Sequence, residues 1–199
     1  MPSHTTSSHP AAKNPMGPLT SFAVSPAGVK FETQEAEEEV ILFMRQHFIV
    51  NFGWIVLTAI LILAPSVLLP VFLTLLPLPF AIPPNFLFVG TVFWYVVTFG
   101  FALAKFLGWF FNIYIVTDER VVDIDFVNLL YKEFSEARLD KIQDVNYKTG
   151  GIFATVFNYG NVHIQTAAEV PTFEFLAVPY PERVVQTIGE LAKVKHGHL

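Results

Sequence analysis

One block dominates the hydrophobic pattern of this chain: residues 46–104 contain no Lys, Arg, Asp or Glu. Fifty-nine uncharged residues rich in Leu, Val, Ile and Phe exceed what the core of a small domain holds in one run, and a bilayer is the solvent that suits them. About 20 apolar residues cross a hydrocarbon core about 30 Å thick, so the block has room for two helices. Pro77, Pro79, Pro83, Pro84 and Asn85 separate them, because proline inside a helix removes a backbone donor and clashes with the preceding turn. The pattern predicts a helical hairpin with spans near 52–76 and 86–107 inside a region 48–110. Pro65 and Pro70 predict a kink or an early end of the first span near Pro70. One span with a re-entrant piece is the alternative.

The segments on either side have different patterns. Residues 1–30 are rich in Ser, Thr, Pro, Ala and Gly and lack apolar periodicity, the composition of a disordered tail. They also lack the apolar core of a secretory signal. Residues 31–47 run from Glu32, Glu35, Glu37, Glu38 and Glu39 through five apolar residues to Arg45 and His47. An acidic front and a basic back complement a helix dipole, so a short juxtamembrane helix is expected there, leading into the first span or docking on a partner.

After Phe111 the period becomes two: Val122, Ile124 and Phe126 alternate with Asp123 and Asp125, as in a half-buried strand. Strands are expected at 112–117, 120–126, 130–135, 142–148, 161–166 and 172–178. Pro181, Glu182 and the spacing of Val184, Val185, Ile188, Leu191 and Ala192 then predict an amphipathic C-terminal helix. The fold class is therefore a membrane α-helical hairpin plus an α+β domain at 111–195, a small antiparallel barrel or sandwich capped by that helix.

Charge adds an orientation. Lys30 and Arg45 precede the first span, Lys105 and Arg120 flank the end of the second, and the linking loop has no cation. Positive residues favour the cytoplasmic side, so a multi-pass protein of the cell (inner or plasma) membrane with both termini cytoplasmic is expected. Trp54 and Trp109 are candidate interface anchors, and Lys105 can snorkel outward from the apolar limit. From Phe111 onward there are 8 Lys and Arg against 12 Asp and Glu without a basic run, which argues against nucleic-acid binding. The chain has no cysteine, so thiolate metal sites and cysteine nucleophiles are excluded.

Little in the sequence supports catalysis. A nucleophilic triad needs a base, and outside the terminal segments only His47 and His163 are available, without a nucleophile turn. Asp123 and Asp125 share a strand face and read as a solvated edge. His196 and His198 are too few ligands for a dedicated metal site. Gly150-Gly151 lacks the lysine of a phosphate loop. No catalytic residue, metal or cofactor is expected.

Three segments carry a resemblance: Tyr114-Ile115-Val116-Thr117-Asp118-Glu119-Arg120-Val121-Val122, then Ala137-Arg138-Leu139-Asp140-Lys141-Ile142-Gln143-Asp144-Val145, then Gly160-Asn161-Val162-His163-Ile164-Gln165-Thr166. In this order behind two spans, with Glu39 to His47 before them, they resemble the bacterial pleckstrin-homology-like domain of YdbS-type membrane proteins over about residues 35–190. The resemblance implies two sheets with a C-terminal helix and no defined catalytic activity. It singles out Arg120, Arg138, Asp140, Lys141 and Asp144. Arg120 and Arg138 either brace turns by pairing with nearby acids or, with Lys141, contact headgroups or a partner protein. The expected function is a membrane-anchored, non-enzymatic binding or scaffolding module. Its expected partners are the bilayer and a protein, or a second copy of itself. The alternative is a small oligomeric transport or lipid-handling component, for which the spans offer Thr58, Ser66, Thr74, Thr91, Thr98 and Lys105 as polar groups.

Overall fold

The computed structural model describes residues 16–31, 33–75, 83–128, 131–167 and 172–197. Two apolar helices, α1 (Phe52–Leu75) and α2 (Pro84–Phe111), follow strands β1 (Phe22–Val24) and β2 (Val40–Met44) and a 3-10 turn at Phe48–Asn51. Strands β3 (Ile113–Thr117), β4 (Arg120–Asn128), β5 (Tyr131–Arg138) and β6 (Ile142–Lys148) come next. A short helix α3 (Ile152–Phe157), strands β7 (Tyr159–Thr166) and β8 (Thr172–Pro179), and helix α4 (Pro181–Gly197) complete the chain. The chain divides into two compact units. One comprises the described residues up to His47, Ile113–Ile124 and those from Phe134 onward; the other comprises Phe48–Asn112 and Asp125–Glu133.

In the first unit, antiparallel strands form a five-stranded sheet in the order β1-β2-β3-β4-β5 and a three-stranded sheet β6-β7-β8. Leu42, Met44, Tyr114, Val116 and Val121 from the first sheet meet Val162, Ile164, Phe173 and Phe175 from the second, and Val184, Ile188 and Ala192 of α4 close the same core. Tyr114 joins the sheets directly. Its ring stacks on Phe175 with centroids 4.6 Å apart, and its hydroxyl accepts the Leu176 amide at 3.2 Å. The C-terminal end of α4 is tied back by Lys195, whose ammonium donates to Glu119 in the β3–β4 turn.

Residues 40–44 are a strand, not part of the expected juxtamembrane helix. Leu42 and Met44 enter the main core while Val40 and Phe43 fill a second cluster with Ile115 and Val122. A bulge between Val40 and Leu42 places Val40 on the face of Phe43. A strand buried on both faces reads as a continuous apolar run and lacks the alternation that would mark it. The tail reading also needs correction from residue 16 onward; residues 1–15 lie outside the described residues. β1 pairs with β2 through Phe22↔Met44 and Val24↔Leu42, and Arg45 Nη1 donates to the Pro18 carbonyl at 2.7 Å. Three residues on a sheet edge are too short to display a period.

The second unit is built on the helical hairpin. α1 continues through Pro65 and Pro70 to Leu75, so the early end expected near Pro70 does not occur. The proline-rich link at 76–82 lies outside the described residues, and Pro84 opens α2, where its missing amide is not needed. Phe48–Leu75 and Pro84–Phe111 are each 28 residues and apolar enough to cross a membrane. Each is about 42 Å long at 1.5 Å per residue, more than the hydrocarbon layer requires.

Candidate functional site

The strands of the first unit are clasped by a charged group centred on Glu38. Arg120 sits at the start of β4, where the Thr117 hydroxyl accepts its amide at 2.9 Å, so the β3–β4 turn fixes its backbone. Its guanidinium donates to both oxygens of Glu38, Nε at 3.0 Å and Nη2 at 2.8 Å. Glu136 and the Thr33 carbonyl accept from Nη1 and Nη2 at 2.8 and 2.7 Å. The Glu38 side chain is 0% exposed and that of Arg120 12%. Burial alone raises the Glu38 pKa, but hydrogen bonds from Arg120 and Thr117 prevail and hold it below the usual carboxylate range. The hydrogen bonds it donates to Glu38 push the pKa of Arg120 up in turn. Arg120 is thus a brace joining β4 to the segment before β2, and its charge is spent inside the domain.

Arg138 and Lys141 have the opposite setting. Arg138 precedes and Lys141 ends the 3-10 turn Leu139–Lys141, with side chains 71% and 54% exposed, and both pair with Asp140, at 3.1 and 3.5 Å. Exposed pairs of this kind contribute about 0–1 kcal/mol, so these two cations are held in place without being consumed. His163 on β7 lies 3.8 Å from Glu174 on β8, a cross-strand surface pair. Asp144, on exposed β6, accepts from the Asn146 amide at 3.3 Å.

Asp125 departs from the solvated-edge reading. It lies in the second unit, and burial together with the charge of Glu133 pushes its pKa up. Its neighbour Phe126 packs on Phe111 at 5.3 Å, and the Phe126 amide donates to the Asn112 side chain. Alternation placed Asp125 on a polar face but could not show that its carboxyl is half-buried in the folded chain.

The hairpin contains its own hydrogen-bond chemistry. Pro65 has no amide to offer the Leu61 carbonyl one turn back, and Trp94 Nε1 on α2 donates to that same carbonyl at 2.8 Å. The Tyr95 hydroxyl donates to the Ile62 carbonyl at 3.2 Å. Beside these bonds, Ala64, Pro65, Leu68, Phe72, Gly90 and Thr91 line a cleft of about 320 Å³ between the helices. Trp54 donates to Asn51 at 2.9 Å, and Lys105 is exposed. Trp109 is buried, 6.2 Å from Phe106, so its ring does not lie on an exposed face as a free anchor would.

The family model for the bacterial PH domain matches residues 46–192. The chain belongs to the bacterial PH domain family. No curated protein and no solved structure matches it. The matched segment begins at Gln46, so β1, β2 and Glu38 precede it, although β2 fills the position beside β3 in the PH-domain sheet. Sequence reasoning found Arg120 but missed Glu38 as its partner. The only available signal was a glutamate run ahead of an apolar segment, and five glutamates in that run could not be told apart. The protein is a PH-like domain associated with two helices that can span a membrane.

Proposed function

We propose that this bacterial PH-domain protein is a non-enzymatic, membrane-anchored binding module that presents its domain to a protein or headgroup partner from the cytoplasmic side. The pairing of β2 with β3, with Met44 opposite Tyr114, carries the reading. These strands lie immediately before and after the hairpin in sequence, so a sheet containing both supports a hairpin that leaves and returns on one side of the bilayer. The excess of Lys and Arg at that end supports the cytoplasmic assignment to the inner or plasma membrane. Tethering raises the effective concentration of the domain for anything else held at that membrane, and Arg138 and Lys141 are exposed cations that recognition can use.

The rival, a transport or lipid-handling component, draws support from the interhelical cleft. Its lining is apolar apart from Thr91, which suits an acyl chain better than an ion. Crosslinking in cells from positions beside Arg138, with and without Arg138→Gln and Lys141→Gln, tests the binding reading. Capture lost in the double variant at unchanged protein level supports it, and unchanged capture refutes this surface. Since the chain has no cysteine, cysteines placed at Ala81 and Thr149 can be labelled from either side. Labelling of position 149 from outside overturns the orientation.

A further inference from the structure

Helix α3 was not anticipated from the sequence, and it is built in an unusual way for a surface element. Gly151 precedes it with φ of 91° and Asn158 ends it in the left-handed region with φ of 49°, so both ends are sharply set. Ala154 alone points inward and is buried. Ile152, Phe153 and Val156 are 82%, 70% and 69% exposed, and residues 149–160 contain no charge. Three large apolar side chains displayed together by a short capped helix mark an interaction surface.

A second observation points to what covers it. The His47 ring stacks on Tyr159 at 5.4 Å and lies 6.2 Å from Phe157, the last residue of α3. The His47 amide also donates to the Ala177 carbonyl at 2.7 Å, beside exposed Leu176. His47 is followed directly by Phe48, the first residue of the apolar segment Phe48–Leu75, and consecutive Cα atoms are about 3.8 Å apart. His47 is thus the residue at which the chain leaves the first unit for that apolar segment, and α3 lies beside it within the same unit.

We infer that α3 is a membrane-dipping element: Ile152, Phe153 and Val156 insert into the headgroup and upper acyl region of the leaflet that the first span enters. The inference rests on the reading of Phe48–Leu75 as a membrane span. The absence of charge makes the insertion hydrophobic, so it does not depend on anionic lipid. Two attachments, the span and α3, then restrict the rotation of the domain about its connection and set which of its surfaces faces the cytoplasm.

The test uses the full chain in phosphatidylcholine vesicles, with Phe153→Cys, Val156→Cys and Val67→Cys made singly and labelled with an environment-sensitive fluorophore. Lipids carry a doxyl quencher either near the headgroup or near the chain end. The expected result is blue-shifted emission at 153 and 156, lost with the shallow quencher, while position 67 loses emission with the deep one. Quenching at 67 together with water-like, unquenched emission at 153 and 156 overturns the inference and leaves the hairpin reading standing. Blue-shifted but unquenched emission at 153 and 156 means that protein covers α3, and overturns it too. No quenching at 67 removes the hairpin reading and this inference with it.

Discussion

Replacing Glu38 by Ala tests the clasp most directly. The carboxylate accepts four hydrogen bonds, from Arg120 Nε and Nη2, the Thr117 hydroxyl and the Glu35 amide. Removing one member of a buried ion pair costs about 3–5 kcal/mol, chiefly because the other charge is left without compensation. Arg120 would keep Glu136 and the Thr33 carbonyl, and it retains some exposure, so the expected loss is about 2–4 kcal/mol. The Trp residues all lie in the hairpin unit, so intrinsic fluorescence would report the wrong region. Native-state hydrogen exchange of the β3 and β4 amides in reconstituted protein reads the domain itself. Exchange of the Val121 and Val122 amides should accelerate about 30-fold to 900-fold, at tenfold per 1.36 kcal/mol. In Glu38→Ala with Arg120→Met the orphaned charge is gone, and the combined loss should fall short of the sum by about 1.5–3 kcal/mol. Acceleration below about threefold in the single variant, or additivity in the double one, would refute the assignment of this pair as the clasp.

Three further outcomes follow from the same geometry. Glu38 titrates below its ordinary value near 4.5, so its stabilisation is complete above that value and disappears as pH falls through the lower folded one; the exchange difference between the native chain and Glu38→Gln should shrink as pH is lowered from 4.5 through that folded value. Trp94→Phe removes the donor to the Leu61 carbonyl and should weaken the hairpin by about 0.6–1.7 kcal/mol, measured by unfolding in bicelles. In a Pro65→Ala background, where α1 supplies its own amide, the same change should cost clearly less. Gly160→Ala would place a Cβ 2.7 Å from the Lys148 carbonyl oxygen and 3.2 Å from Pro181 Cγ. That overpacking should destabilise the β6–β7 pairing by about 1–3 kcal/mol, visible as faster exchange confined to the first unit.

The parts of this protein that were legible in the sequence are those governed by composition or by a clean period. The uncharged block predicted both helices, and the alternation in Val122, Ile124 and Phe126 or in Val162 and Ile164 predicted strands that the structure contains. Helix α4 followed from its spacing and from Pro181. The misread elements share one property: their conformation is decided by partners distant in the chain. β2 lies opposite β3, with Leu42 paired to Val116 across the whole hairpin, and nothing within residues 31–47 records that pairing. No element was expected between the strands at 142–148 and 161–166, whereas Gly151 and Asn158 bracket a helix held down by Ala154.

For the site, the sequence determined which residues carry charge and that the hairpin is long and apolar enough to cross a bilayer, because the apolarity of a run is a property of the run itself. Tertiary structure alone decided what those charges do. Arg120 and Arg138 look alike as arginines in two of the segments that carry the resemblance. Yet one is enclosed by Glu38, Glu136 and the Thr33 carbonyl, while the other stands in solvent beside Asp140. The physical reason is that electrostatic role depends on burial and on partners brought from far along the chain, and neither is encoded at the residue that bears the charge.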